Sequence, residues 1–148
     1  WRGSPTMCSY CGCRANTVIA RYSAEHDEII NSMGTLRRTA SAAVHDAIAI
    51  AARDLAALLN PHTTSEERSL FAELRLDAEF TEHVDGLCAE HREIDATLVR
   101  VTDGDLAAVA HLEDLLRRHI DKEENGLFPA AVIALDGPAW ERVVSRAS

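Results

Sequence analysis

Residues 119–129 read HIDKEENGLFP and residues 62–71 read HTTSEERSLF, so the chain spells H-x-x-x-E-E-x-x-L-F twice. In a helix, a histidine and a glutamate four positions apart lie on the same face, one turn from each other. Such a pair is either an ordinary polar contact on a helix face or two side chains that converge on a metal ion. Its repetition within 148 residues favours the metal ion and predicts a helix at both places.

A second repeated motif precedes each copy of the first. Residues 24–29 read AEHDEI and residues 89–94 read AEHREI. The chain therefore has two similar halves, each supplying one histidine and then a His-Glu pair. A doubled ligand set of this kind is what a two-metal centre on the pseudo-twofold axis of a helical bundle requires.

Apolar residues recur every three or four positions in long stretches, as is typical of amphipathic helices. The first helix is expected over residues 17–38. The second is expected to begin near Ser41 as its N-cap and to reach Asn60-Pro61, where either a kink or a new helix is expected.

The second half of the chain carries clearer signals for helix ends. Asp77 is expected to cap the third helix, and the turn at Asp103-Gly104 leads to the fourth. A short last helix, AWERVVSR, follows the Gly-Pro pair near the C-terminus. The short connections predict an all-α, up-down antiparallel four-helix bundle with a short extra C-terminal helix.

The histidines divide into two sets by their position relative to the apolar stripes. Burying imidazoles and carboxylates without compensation is costly, so a bundle gains nothing from collecting them unless a bound cation balances them. One histidine falls within the stripe of each long helix, whereas the others fall off it. The first set is His26, His62, His91 and His119, and the second is His45, His83 and His111.

Composition excludes several classes of function. Hydrophobic residues make up 47% of the chain, with only 7 Gly and 4 Pro, which favours a single helical domain. The net charge of −9 argues against nucleic acid as a partner. No apolar run approaches the ~18 residues of a membrane span, and no signal peptide is evident, so a cytoplasmic protein without membrane contact is expected.

The N-terminal region is expected to lie outside the domain. Trp1–Thr6 (WRGSPT) look like a cloning remnant, and residues 1–16 together form a terminal segment ahead of a domain at residues 17–148. The segment contains CSYCGC, whose thiols Cys8, Cys11 and Cys13 either bind a metal or undergo redox chemistry, or are reduced thiols in a frayed terminus. Three thiolates without a fourth ligand indicate zinc only weakly.

The ordered pattern H … HxxxE … H … HxxxE resembles the hemerythrin-like family, also called the HHE cation-binding domain, over nearly all of residues 17–135. The resemblance implies a bundle enclosing a non-haem di-iron centre, with two iron ions joined by an oxo or hydroxo bridge. The resemblance makes iron the expected metal, with manganese or zinc less favoured, although mixed imidazole and carboxylate donors are compatible with all three. The resemblance also implies the ligands. The terminal iron ligands are then His26, His62, His91 and His119, and Glu66 and Glu123 bridge the irons.

Two positions depart from the oxygen-carrying members of that family. Those proteins have a histidine pair one turn apart on the third helix, whereas Leu87 and Asp95 lie one turn either side of His91 here. They also use an H-x4-D spacing on the last helix, whereas Glu123 lies four residues after His119 and Glu124 is the less favoured substitute. Fewer protein ligands leave more open positions, which favours reaction with peroxide over storage of oxygen.

Several neighbours of the predicted ligands have open roles. Tyr22, one turn before His26, is either a ligand or proton donor, or a core aromatic whose hydroxyl bonds elsewhere. Asp95 and Glu90 are each either a ligand or a residue that orients an imidazole. Glu25 and Glu90 are otherwise expected in interhelical or surface pairs. Glu67 and Glu124 are expected to face water, and Cys88 to be a small buried apolar residue.

Fold analogy alone leaves three functions open. The first is an enzyme that decomposes hydrogen peroxide, in the manner of a catalase. The second is a module that binds or senses dioxygen or nitric oxide reversibly. The third is iron sensing or storage, in which occupancy controls folding or the choice of partner. The expected partners are small ligands: peroxide, dioxygen and nitric oxide.

Overall fold

The computed structural model describes the backbone of residues 11–148 and the side chains of residues 17–148. All regular structure in that part of the chain is helical. Its helices are α1 (Cys11–Ser41), α2 (His45–Arg68), α3 (Leu70–Leu74), α4 (Ala78–Thr102), α5 (Ala108–Lys122), α6 (Phe128–Ala134) and α7 (Gly137–Ala147). A π-helical turn, Glu123–Leu127, joins α5 to α6.

The four long helices α1, α2, α4 and α5 form a closed bundle. Helix α1 packs against α2, α2 against α4, α4 against α5, and α5 against α1. Short connections reverse the chain between consecutive long helices, as the sequence predicts. Helix α7 packs on α1, α2 and α3, so the predicted extra C-terminal helix covers one end of the bundle.

The ends of α1 and the start of α2 differ from the predicted boundaries. Helix α1 begins by Cys11 and runs through Ser41, so Ser41 is not the N-cap of α2. Helix α2 begins at His45, and Val44 precedes it without a side-chain cap. Ala43, with a φ of 56°, makes the turn between them, a left-handed conformation that short loops impose at some cost.

Pro61 does not start a new helix, which is one of the two alternatives that the sequence predicts there. It lies inside one continuous helix, which instead ends at Arg68. Pro61 is exposed, so water can satisfy the carbonyl that loses its intrahelical partner. The helix is interrupted at Ser69, two residues after the Glu66-Glu67 pair.

The predicted signals for the later helix ends are confirmed. The Asp77 side chain accepts a hydrogen bond from the amide of Glu79 at 2.9 Å and caps α4. Gly104 has a φ of 104°, which favours glycine in the turn after α4. Asp136 caps α7 by accepting from the amide of Ala139 at 3.0 Å.

Two hydrophobic clusters fill the bundle, one on each side of the four buried histidines. The first, which we call the inner cluster, contains Ile29, Leu59, Ile94 and Leu116 among others. The second, the capped cluster, contains Tyr22, Leu87 and the two Leu-Phe pairs, and Trp140 and Val143 of α7 close it. Cys88 is buried in the capped cluster, as predicted.

The order of residues along each helix places the histidines between the clusters. In α1, Tyr22 belongs to the capped cluster and Ile29 to the inner cluster, with His26 between them. In α5 and its extension, Leu116 and Leu127 flank His119 in the same way. The polar residues therefore form a layer across the bundle with apolar packing above and below.

Two further expectations concern the ends and surface of the chain. Cys8 and the side chains of Cys11 and Cys13 lie outside the described residues, so the thiol prediction stays a prediction. Within the described residues, no helix is both long and apolar enough to cross a bilayer.

Candidate metal centre

The six predicted ligands are among the most buried polar residues of the described chain. Glu66 and Glu123 have no exposed surface, and the four histidines are at most 4% exposed. By contrast His45, His83 and His111 are exposed, as expected from their positions off the apolar stripes. Helix periodicity therefore separates the two sets of histidines correctly.

The buried residues form two groups that share both carboxylates. One group is His26, His62, Glu66 and Glu123, and the other is His91, His119, Glu66 and Glu123. Within each group the ligand atoms lie within 4.8 Å of one another. Each group thus offers two imidazole nitrogens and two carboxylate oxygens to one cation.

Each carboxylate lies between histidines of different groups. Glu66 Oε1 is 3.2 Å from His62 Nε2 and 3.5 Å from His91 Nε2. Glu123 Oε1 is 3.0 Å from His26 Nε2 and 3.4 Å from His119 Nε2. A carboxylate in this position can bridge two cations, one held by each group.

Buried atoms left without hydrogen bonds test whether a cation fits. Both carboxylate oxygens of Glu66 and of Glu123 lack a hydrogen-bond partner, as do His26 Nε2 and His62 Nε2. These atoms lie close together but are not aligned as hydrogen bonds. Leaving several such atoms buried costs free energy that a bound cation would offset. The mixed imidazole and carboxylate donors suit iron, manganese or zinc.

The outward nitrogens of the four histidines are all hydrogen-bonded to glutamates of neighbouring helices. The Nδ1···Oε distances are 2.6–2.8 Å, as expected for charge-assisted hydrogen bonds. The pairs are His62–Glu25, His91–Glu67, His119–Glu90 and His26–Glu124. We call these four glutamates the carboxylate ring, because they link α1 to α2, α2 to α4, α4 to α5, and the π-helical turn back to α1.

The carboxylate ring fixes the orientation of the imidazoles. When Nδ1 donates its proton to a carboxylate, the Nε2 lone pair is left to face the centre of the bundle. Supporting carboxylates of this kind also make the imidazole a stronger donor to a metal. The ring therefore prepares all four Nε2 atoms for coordination.

Two expectations about the glutamates are wrong. Glu67 and Glu124 do not simply face water: Glu67 accepts from His91, and Glu124 accepts from His26 and from Ser23. Their side chains are partly exposed but point across to the next helix. The signal was present in the sequence, because each member of the ring directly adjoins a predicted ligand in a repeated motif. Glu25 and Glu90 make interhelical pairs, as predicted.

Charge in the centre is balanced between imidazoles and carboxylates. Burial disfavours the charged imidazoliums, but the adjacent Glu66 outweighs burial and raises the pKa of His62 and of His91 to about 9. Burial opposes the charge of Glu123, yet His119 and His26 hold its pKa well below the usual range. The Glu123 carboxylate is therefore anionic, and a bound cation would replace protons on the imidazoles.

In both copies of the HxxxEE motif the α-helix is interrupted close to the glutamates, at Ser69 in the first copy and over Glu123–Leu127 in the second. At ~100° per residue, Phe71 would lie about 140° round the helix from Glu66 if the helix continued. Instead α2 ends at Arg68, and Phe71 is fully buried. In the second copy the amide of Phe128 donates to the carbonyl of Glu123, five residues back, which makes the π-helical turn. Each interruption lets the glutamate and the following Leu-Phe pair both face the interior.

Tyr22 makes hydrogen bonds away from the predicted ligands. Its hydroxyl lies 2.9 Å from the Ser65 hydroxyl and 2.7 Å from that of Ser69. Its ring contacts the edge of His62, with the ring centroids 5.6 Å apart. Burial raises the pKa of Tyr22, so the phenol stays protonated. This matches the core-aromatic alternative for Tyr22 and gives it a supporting contact with His62.

Replacing Tyr22 by phenylalanine is expected to lower the free energy of unfolding by about 1–2 kcal/mol, because buried hydrogen bonds to Ser65 and Ser69 are lost. Metal content should not change. Chemical denaturation and metal analysis of the purified variant measure the two effects. A variant that lost metal while keeping its fold would instead identify the phenol as a ligand. Ser69→Ala is the matched control, since it removes one of the same hydrogen bonds from the other side.

Oxygen-carrying members of the family have a second histidine one turn from the position of His91. In this chain neither residue one turn from His91 replaces that histidine as a ligand. Leu87 is buried in the capped cluster. Asp95 is exposed and belongs to neither ligand group, and the Nδ1 of His91 is taken by Glu67. Glu90 likewise lies outside both groups and supports His119. The two groups are therefore equal in the number and type of their ligands.

A small cavity of about 10 Å³ adjoins the histidines on the side of the inner cluster. All four buried histidines line it, but neither Glu66 nor Glu123 does. Its other lining residues are aliphatic except for Thr63. A space of this size holds about one water-sized molecule. A ligand reaching the metal positions from this side must be very small.

Comparison with known proteins agrees with this geometry. No curated protein and no solved structure gives a significant match. A family model described as the hemerythrin HHE cation-binding domain matches residues 17–131, which contain both ligand groups and the whole carboxylate ring. Because that match covers most of the chain, residues 17–131 are a cation-binding domain and the protein belongs to the hemerythrin HHE family.

Proposed function

We propose that the two ligand groups hold a pair of iron ions and that the protein decomposes hydrogen peroxide. The observation that most supports this proposal is that the two groups have the same types of ligand and share both carboxylates. Four protein donors leave positions of an octahedral ion open at each site. A saturated iron beside an open one suits reversible storage of oxygen, whereas two open irons suit reaction with a ligand that touches both.

The iron pair would supply two-electron redox chemistry, taking and returning electrons between successive peroxide molecules. One peroxide is reduced to two water molecules with two electrons and two protons. The other is oxidised to dioxygen and returns the same electrons and protons. The two half-reactions balance without any further reductant.

The residues of this chain contribute by placing charge and by limiting access. Glu66 and Glu123 neutralise cationic charge between the helices, and the two apolar clusters keep bulk water from the polar layer. Glu67 and Glu124 are partly exposed and hydrogen-bonded to Nδ1 of His91 and His26, so each connects a buried imidazole to solvent. The cavity beside the histidines has room for no more than a very small molecule.

Iron-loaded protein is expected to evolve dioxygen from hydrogen peroxide well above the rate of an equal amount of free ferric iron. An oxygen electrode measures the rate, and an equimolar iron–chelate solution is the control. Glu66→Gln should abolish the excess rate, because it removes a donor shared by both groups. Evolution no faster than that of free iron would exclude the proposed reaction.

The cavity favours a second candidate, reversible binding of dioxygen or nitric oxide. Its volume of about 10 Å³ and its aliphatic lining suit an uncharged diatomic gas. Titration of the reduced, iron-loaded protein with each gas distinguishes this function. A stable optical band that disappears when the gas is removed supports binding, whereas irreversible oxidation on the first addition contradicts it.

A further inference from the structure

The repeat makes the cavity nearly symmetric. Apart from the two histidine pairs, which match, corresponding positions in the two halves of the chain carry the same residue in two of the other three pairs that line it. The pairs are Ile29 with Ile94, Leu59 with Leu116, and Thr63 with Ile120. Thr63 and Ile120 each directly follow the histidine of an HxxxEE motif, so they occupy equivalent places beside His62 and His119. The halves of the cavity therefore differ at one pair.

The difference is chemical as well as steric. Thr63 carries a hydroxyl that can donate and accept, whereas Ile120 is purely apolar. Among the described residues that line the cavity, Thr63 alone adds a polar group to those of the histidines. Because the two ligand groups have matching donors, this hydroxyl is the feature of the cavity that distinguishes the two metal positions.

The Thr63 hydroxyl is poorly satisfied by its own helix. Its oxygen lies 3.5 Å from the carbonyl of Asn60, at the outer limit of a hydrogen bond. Other helical threonines of this chain bond more closely to carbonyls of the preceding turn: Thr39 and Thr97 at 2.7 Å, and Thr102 at 3.0 Å. Thr63 is only 8% exposed, so this long hydrogen bond lies in a largely buried place.

We propose that the Thr63 hydroxyl donates a hydrogen bond to a small ligand in the cavity and directs it to the metal position held by His26 and His62. A threonine in a helix adopts two side-chain rotamers, so the hydroxyl can turn from the Asn60 carbonyl to a ligand. The two metal positions, equal in their protein donors, thereby become unequal toward ligands. The inference rests on the metal centre of the proposed function but not on its reaction with peroxide.

Nitric oxide is a suitable probe, because it is diatomic and its stretching frequency responds to hydrogen bonding. The test uses the reduced, iron-loaded full chain. Thr63→Val replaces the hydroxyl by a methyl group of similar size and is expected to weaken nitric oxide binding by about tenfold, the worth of one hydrogen bond. The N–O stretching frequency should shift, while iron content stays equal to that of the unmodified protein.

Three further variants separate a hydrogen bond from a packing effect. Thr63→Ser keeps the hydroxyl and should retain both the affinity and the frequency. Ile120→Val changes volume at the equivalent position without a hydroxyl and should leave the frequency unchanged. The double variant Thr63→Val/Ile120→Thr moves the hydroxyl to the other half of the cavity and should restore most of the affinity.

The outcomes distinguish this inference from the proposed function. Unchanged affinity and frequency in Thr63→Val overturn the inference, and so does an equal shift in Ile120→Val. If Thr63→Val does not load iron, the other two Thr63 variants test the inference. Weaker nitric oxide binding or a shifted N–O frequency in Thr63→Ser contradicts it, and so does failure of the double variant to bind nitric oxide. Absence of dioxygen evolution from peroxide in the unmodified protein overturns the proposed reaction, whatever nitric oxide does.

Discussion

Glu66→Gln is expected to purify with at least one fewer metal ion per chain than the unmodified protein. Glu66 contributes an oxygen to both ligand groups and lies between His62 and His91. Glutamine has nearly the same size but carries no charge, so it cannot neutralise two cations. Elemental analysis of the purified variant measures the loss. The expected effect is the largest of any single substitution in the centre, shared only with Glu123→Gln.

Two controls separate metal binding from general damage to the bundle. Glu73→Gln removes another buried glutamate of the same half of the chain, one that pairs with Arg142 rather than with histidines. His45→Ala removes a histidine that is exposed at the start of α2. Both controls should keep their metal. The ligand assignment would be overturned if His45→Ala emptied the centre while Glu66→Gln left it filled.

Helix periodicity made the innermost residues of the centre predictable. A ligand that faces the core must lie on the apolar stripe, and a His-Glu pair four residues apart stays on one face. The sequence therefore predicted which four histidines are buried and which three are exposed. The repeat predicted that the two groups match, and the structure brings the residues together as two groups that share carboxylates.

The carboxylate ring was harder to predict, for a geometric reason. A residue next to a ligand lies ~100° round the helix, at the edge between core and solvent. Whether Glu124 meets water or His26 depends on how closely two helices approach, which no single helix records. For the same reason the stripe placed Tyr22 near His26 but could not fix the direction of its hydroxyl, which Ser65 and Ser69 determine.

Helix ends followed the sequence where a capping side chain or a turn glycine such as Gly104 defines them. Asp77 accepts an amide hydrogen bond and defines the start of α4, as its position predicted, and Asp136 does the same for α7. Ser41 offered the same type of side chain but lies within α1, since nothing in the residues before it stops that helix. The interruptions after the Glu-Glu pairs come from the requirement that both the glutamate and the Leu-Phe pair be buried.

Glu124→Ala is expected to lower metal affinity by about 10–100-fold, the usual effect of removing a carboxylate that orients a ligating histidine. Without Glu124, His26 loses the acceptor of its Nδ1 proton at 2.6 Å and can rotate or exchange its tautomer. Metal titration with a competing chelator measures the change. Glu28→Ala is the matched control: it removes the same charge from an exposed position two residues after His26 and should bind metal normally.

The carboxylate ring also predicts which of the two positions is weakened. Glu25 and Glu124 orient His62 and His26, both of the first ligand group, whereas Glu67 and Glu90 orient the histidines of the second. Because Glu66 and Glu123 remain in place, Glu124→Ala should weaken one ion and leave the other nearly unchanged, so the titration should become biphasic. Uniform weakening of both ions would mean that the ring acts through the total charge of the site rather than through individual imidazoles.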